Sequence, residues 1–234
     1  MKTTRFEFGE YEVLAVPVLA DNFVYLVCRD GQAVLIDAGE AGPVFQTLEQ
    51  ERLQLREILI THTHQDHVGG CRAIQERLGV LSTSPAVESA TVQMLGTVCR
   101  SFSTPGHVAT HKCHHFPELG ILFTGDALIN GACGRILGGT AQQYFESLQA
   151  IKALPDETVV FGGHDYLVEN MEFALSVEPG NAAMQARLDL YRTDPAAALF
   201  ATLAEEKKTN PFLRVESVAE FAELRQRKDR FLGR

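Results

Sequence analysis

Four times along this chain an apolar run ends in a turn that carries histidine or aspartate beside glycine or threonine. The run 57–60 leads into Thr61-His62-Thr63-His64-Gln65-Asp66-His67-Val68-Gly69-Gly70, the run 98–102 into Thr104-Pro105-Gly106-His107, the run 121–124 into Gly125-Asp126, and the run 158–161 into Gly162-Gly163-His164. Further runs rich in β-branched residues occupy 11–18, 23–28 and 33–36. All seven read as strands. Helical patterns occupy 43–53, 70–78 and 141–154, the last with Thr140 placed as its N-cap, so the alternation is that of an α/β chain. From about residue 167 the strand signal stops, and helical patterns follow, punctuated by Glu178-Pro179-Gly180-Asn181, Asp194-Pro195 and Asn210-Pro211. This shift predicts a main domain over 1–166 and a helical subdomain over 167–234.

The segment 61–67 places three imidazoles and a carboxylate within six residues. At a strand-to-helix turn such side chains converge, and neutral imidazole with carboxylate suits zinc or iron. His107, Asp126 and His164 supply further ligands from equivalent places. A lone histidine is more often a surface group or a support behind a ligand. Seven such groups packed together without a cation would carry a large desolvation cost, so the cluster predicts a metal site. Of the remaining histidines, His114 and His115 read as surface residues, and His111 as at most a support behind the ligands.

Composition narrows the function. At 234 residues and 45% hydrophobic content the chain can bury a core of its own, and its first residues contain no long apolar segment. No stretch reaches the roughly 18–20 apolar residues of a membrane span. The five cysteines show no CxxC spacing, which predicts reduced thiols in a cytoplasm and no cysteine ligation of metal. A net charge of −9 argues against nucleic acid as a partner.

With these residues in view, the chain resembles the metallo-β-lactamase superfamily, whose signature is T-H-x-H-x-D-H followed by later His, Asp and His. The resemblance implies an αββα sandwich of two packed sheets flanked by helices. It also implies two divalent metal ions, with zinc the first choice and iron or manganese the others. His62, His64 and His107 would hold one ion and Asp66, His67 and His164 the other, with Asp126 bridging. Within the superfamily, the segments 131–140, 163–166, 177–181, 206–214 and 225–229 are similar to glyoxalase II, the hydroxyacylglutathione hydrolases. That similarity puts Arg135, Tyr166, Arg225 and Lys228 on glutathione-contacting positions. It implies hydrolysis of S-(2-hydroxyacyl)glutathione, such as S-D-lactoylglutathione, by a metal-bridging hydroxide that Asp66 orients.

The residues fit that reading without deciding it alone. Arg225 and Lys228, three apart on one helix face, could grip a substrate carboxylate, although most charge runs are solvated faces. Tyr166 fits a packed aromatic equally well. A thiolate leaving group departs without a strong general acid, which suits a site that offers ligands and no evident acid. Departures from the family also stand out. Gln65 replaces a tryptophan, Gly106 a cysteine and Leu137 a glutathione-contacting tyrosine, Asp37-Ala38-Gly39 replaces Asp-Pro, and 73–103 is short. The rival readings are a single-iron persulfide dioxygenase, a hydrolase of another ester or lactam, and a non-catalytic binding module, which would be expected to have lost a ligand.

Overall fold

Alternation along the strands decides which faces meet. The computed structural model describes residues 2–83 and 90–231. Its first sheet runs in the order β1 (Thr4–Phe8), β2 (Tyr11–Val18), β3 (Asn22–Arg29), β4 (Gln32–Ile36), β5 (Gln54–Leu59) and β6 (Leu81–Ser82). The second contains β7 (Ala90–Met94), β8 (Thr97–Ser103), β9 (Lys112–Phe116), β10 (Ile121–Gly125) and β11 (Val159–Gly162), in the spatial order β11-β10-β9-β8-β7. Side chains two apart share a face. Val13, Tyr25, Val27 and Ile36 of the first sheet therefore meet Phe116, Ile121, Phe123 and Phe161 of the second in one buried cluster. The opposite face of the first sheet, with Leu14, Val24, Leu26 and Leu35, is covered by helices α1 (Ala41–Gln50) and α3 (Cys71–Leu78). The outer face of the second sheet, with Leu122 and Val160, is covered by α4 (Ala141–Lys152) and by later helices. The result is the expected helix-sheet-sheet-helix sandwich.

Thr140 caps α4 as its sequence suggests, in a full capping box with Gln143. The punctuation of the C-terminal third also becomes capping. Asn181 caps α6 (Ala182–Thr193), Asp194 caps α7 (Pro195–Leu199), and Asn210 caps a 3-10 turn (Pro211–Leu213), the last two with proline in the first turn. Helices α5 (Leu167–Val177), α8 (Leu203–Thr209) and α9 (Val218–Phe231) complete this region. Its apolar side chains Leu167, Met171 and Met184 join the inter-sheet core.

Two expectations need correction. His114 and His115 are not surface residues: both lie buried on β9, a central strand of the second sheet that sequence patterning missed. His114 is paired through Nδ1 with Ser101 Oγ at 2.8 Å, and burial pushes its pKa down to about 4. Strands β1, β6 and β7 were likewise not foreseen. The shortened segment 73–103 includes residues outside those described.

Candidate metal centre and substrate cavity

The strand ends that carry the ligands open on one rim of the sandwich. The turn after β5 delivers His62 and His64, and the short helix α2 (Gln65–Val68) delivers Asp66 and His67. The turn after β8 delivers His107, the end of β10 delivers Asp126, and the end of β11 delivers His164. Gly125 makes the β10 turn possible. Its φ is +45°, and an added Cβ would stand 2.5 Å from Thr61 Oγ1.

Donor atoms converge in three overlapping sets: His62, His64 and His107; His62, His67 and Asp126; and Asp66, His67 and His164, each within 4.8 Å. Most of these rings are oriented from behind. His67 Nδ1 lies 2.8 Å from Asp37 Oδ2, His164 Nδ1 lies 2.9 Å from Asp21 Oδ1, and His107 Nδ1 donates to the Arg135 carbonyl at 2.8 Å. Those contacts leave Nε2 of each ring aimed inward, as ligating imidazoles require. His64 faces inward through Nδ1, 3.0 Å from both His62 Nε2 and His107 Nε2.

Asp126 is fixed through its peptide. Its N–H donates to His111 Nε2 at 3.2 Å, and its carbonyl accepts from Tyr144 Oη at 2.8 Å and from Gly134 N at 3.0 Å. His111 thus supports a ligand and is itself held by Thr104 Oγ1 at 2.8 Å, with burial lowering its pKa to about 3.

Whether these residues suit a cation can be judged from what they leave open. His67 Nε2 and Asp126 Oδ1 are buried 3.3 Å apart, and neither has a hydrogen-bond partner among the described residues. A Cβ on residue 163 would fall 2.7 Å from Asp126 Oδ1 and 2.8 Å from His67 Cε1, so Gly163 keeps the space beside them clear. Burial alone would lower the pKa values of His67 and His164. Asp37 and Asp126 around the first, and Asp126, Asp66 and Asp21 around the second, outweigh it and raise both. Around these two rings the carboxylates favour positive charge, which a divalent ion would supply in place of protons, whereas burial lowers the pKa values of His62 and His107 and keeps them neutral, as ligating imidazoles require. Nitrogen and carboxylate donors without thiolate complete the fit, and the cluster is a divalent-metal site.

A cavity of about 470 Å³ joins this cluster to the C-terminal helices. It is lined by the metal-site residues His64, Asp66 and His164 and also by Arg135, Tyr166, Arg225 and Lys228, so every residue placed on a substrate position faces the same space. Arg225 and Lys228 are only 2% and 3% exposed, which removes the solvated-face alternative. Arg225 Nη1 donates to the carbonyls of Cys133 and Gly134, its Nη2 lies 3.0 Å from Asp229 Oδ1, and its Nε has no hydrogen-bond partner among the described residues. Lys228 Nζ donates to Asn170 Oδ1 at 2.6 Å, and burial followed by the nearby Arg225 charge lowers its pKa to about 8. Tyr166 stacks on the His164 ring at 4.5 Å. Leu137 is 61% exposed at the cavity wall.

Asp21, Asn22 and Tyr144 also hold the site together, and Asp37 does so beyond its departure from the family pattern. Asp37 carried a signal, being an acid at the end of an apolar run like the ligands themselves. For Asp21, Asn22 and Tyr144 no local pattern exists.

Comparison with known proteins agrees with this geometry. Residues 19–103 and 100–164 match the metallo-beta-lactamase superfamily model, and residues 165–231 match the model of the hydroxyacylglutathione hydrolase C-terminus. A hydroxyacylglutathione hydrolase of Haemophilus ducreyi is 35% identical over 94% of this chain and 99% of its own length. One from Methylococcus capsulatus is 37% identical over 95% and 99%. Among solved structures, ETHE1 from Myxococcus xanthus shares the fold, with a TM-score of 0.68 at 24% identity over 97% of this chain and 90% of that one. A metal-dependent hydrolase of the metallo-β-lactamase fold is the class that fold and site define, and within it the chain belongs to the hydroxyacylglutathione hydrolase (glyoxalase II) family.

Proposed function

We propose that this chain hydrolyses S-(2-hydroxyacyl)glutathione, S-D-lactoylglutathione among its substrates, to glutathione and a 2-hydroxy acid. The observation that carries the reading is the single cavity in which a divalent-metal cluster faces two buried cations, Arg225 and Lys228, on the last helix. In this reading residues 1–166 form the catalytic part and 167–234 the substrate-binding part. His62, His64 and His107 would hold one ion, Asp66, His67 and His164 a second, and Asp126 both. We assign zinc to the two positions, with iron and manganese as the alternatives.

Bound metal supplies Lewis acidity, for activating water and for polarising the thioester carbonyl. The protein's own groups do the rest. Asp66 Oδ2 accepts from Asn22 Nδ2 at 2.9 Å, and the contact with His164, ahead of that with Asn22, holds its carboxyl well below the usual range. At neutral pH it is therefore an acceptor, able to orient the attacking water by a proton of that water. The glutathione thiolate leaves without protonation from the protein, since a thiol of pKa about 8.5 is a good leaving group. Arg135, Tyr166, Arg225 and Lys228 would bind and orient the glutathione part, remote from the breaking bond.

The same chemistry makes a reducing cytoplasm our assigned compartment, where the five free thiols are stable. No helix among the described residues is long and apolar enough to cross a membrane. Turnover of S-D-lactoylglutathione beside glutathione persulfide, with elemental analysis of the same sample, tests the proposal. Hydrolysis of the thioester with two metals per chain is expected. Oxygen consumption on the persulfide with one iron and no thioester hydrolysis would overturn it.

A further inference from the structure

The cavity wall contains one carboxylate that neither the metal cluster nor the anion-binding groups account for. Asp66 and Asp126 belong to the metal cluster, and the cations Arg135, Arg225 and Lys228 suit the carboxylates of a glutathione thioester. Glu169 also lines the cavity. It lies in the first turn of α5, three residues after the N-cap Tyr166 and one before Asn170, and all three line the cavity. Tyr166 is stacked on His164, and Asn170 is fixed by Lys228 and by the Ile129 carbonyl. Glu169 is exposed, and no hydrogen bond or ion pair to it occurs among the described residues. Its charge nonetheless reaches Lys228, whose cationic form it favours.

An unpaired carboxylate in a cavity that must take up an anion opposes binding unless it meets a positive group of the ligand. A glutathione thioester carries one such group, the α-ammonium of its γ-glutamyl end, beside two carboxylates. We propose that Glu169 recognises this ammonium group and so selects a substrate that is zwitterionic at the end remote from the thioester. This rests on the glutathione-thioester reading above. It makes Glu169 a specificity residue that acts on binding and has no part in the bond-breaking step.

Steady-state kinetics of the metal-loaded wild type and of Glu169→Gln, on S-D-lactoylglutathione and on the same thioester with its amine acetylated, test the assignment. In the wild type, acetylation should raise KM about three- to tenfold and leave kcat nearly unchanged, the size expected for one partly solvated charge-assisted contact. Glu169→Gln should raise KM for the free amine by the same factor and should not raise it for the acetylated substrate. A carboxylate that merely repels anions would give the opposite sign, with KM falling on both substrates, and that result overturns the proposal. Equal KM values for wild type and variant on the free amine would overturn it as well. If the wild type turned over neither thioester, the glutathione reading itself would fall, an outcome distinct from either of these.

Discussion

Tyr144 occupies the space that a side chain on residue 106 would need, since a Cβ added to Gly106 would lie 2.2 Å from Tyr144 Cγ. Glyoxalase II usually has cysteine at this position, and in this chain the Tyr144 ring leaves no room for one. The backbone reinforces the restriction, with a φ of +154° at Gly106. Tyr144 in turn bonds the carbonyls of Asp126 and Ala127, so its ring links the His107 turn to the Asp126 turn.

Gly106→Cys should therefore cost about 1–3 kcal/mol of stability through overpacking and strain. Tyr144→Ala removes Cγ and the ring and leaves only Cβ close by, so it relieves most of the clash, and the double variant should be more stable than the sum of the single changes implies, with a coupling of about 1 kcal/mol. Denaturant unfolding of the four proteins measures this. Additive effects would show that the two positions are independent.

Asp126 places its carboxylate among the donors of the metal cluster while its peptide is fixed by three hydrogen bonds, so on the proposed assignment Asp126→Ala should remove ligation without freeing the turn. Metal content by elemental analysis and thioester hydrolysis should fall together. Two ions per chain with near-normal activity would contradict the assignment.

His107 and His111 stand four apart and do different work. His107 presents Nε2 to the cluster, whereas His111 uses Nε2 to accept the Asp126 N–H. His107→Ala should abolish most activity and metal binding. His111→Ala leaves a buried N–H unpaired, at about 1–3 kcal/mol of stability, and should retain more activity and more metal. Measuring metal and unfolding on both variants separates these roles, and the reverse order would mean that the ligand register in this turn is wrong.

The convergence of His62, His64, Asp66, His67, His107, Asp126 and His164 is legible in the sequence because each follows the end of an apolar run, where local pattern and chemistry coincide. Strand β9 was not, because Lys112, His114 and His115 give it a polar composition that only its central place in the sheet overrides. Asp21 was not legible either. It reaches His164 across 143 residues through a hairpin turn, a contact that exists only once the two sheets have packed. The cations of α9 were visible as a pair, but their burial was not, since a charge run carries no sign of what will cover it.

The two cations of α9 should respond differently to truncation. Arg225 holds the Cys133 and Gly134 carbonyls, so Arg225→Ala should lower stability as well as kcat/KM. Lys228→Ala tests the clamp more cleanly. A charge-assisted contact of about 1.5–3 kcal/mol predicts a tenfold to hundredfold loss in kcat/KM, carried by KM, with metal content unchanged. The loss should shrink for a thioester that lacks the glycyl carboxylate. Equal losses on both substrates would remove the main support for the clamp.

Lys228 also predicts a pH dependence whose two consequences have opposite signs. Burial and the Arg225 charge lower its pKa to about 8, against about 10.5 in an unfolded chain. A substrate carboxylate binds the cationic form. kcat/KM for a glutathione thioester should therefore hold below about pH 8 and decline above it, as the free enzyme loses this charge. Stability runs the other way. Between about pH 8 and 10.5 the folded chain holds fewer protons at this site than the unfolded chain does. Rising pH through that window therefore relieves the cost of a buried charge, a cost fully present below about pH 8. Lys228→Arg, charged throughout, should remove the alkaline decline in kcat/KM while keeping affinity at neutral pH. Profiles of kcat/KM and of unfolding free energy from pH 7 to 10 on the two proteins test this. If the variant kept the same alkaline limb as the wild type, another group would be responsible, and Lys228 would not be the cation that meets the substrate.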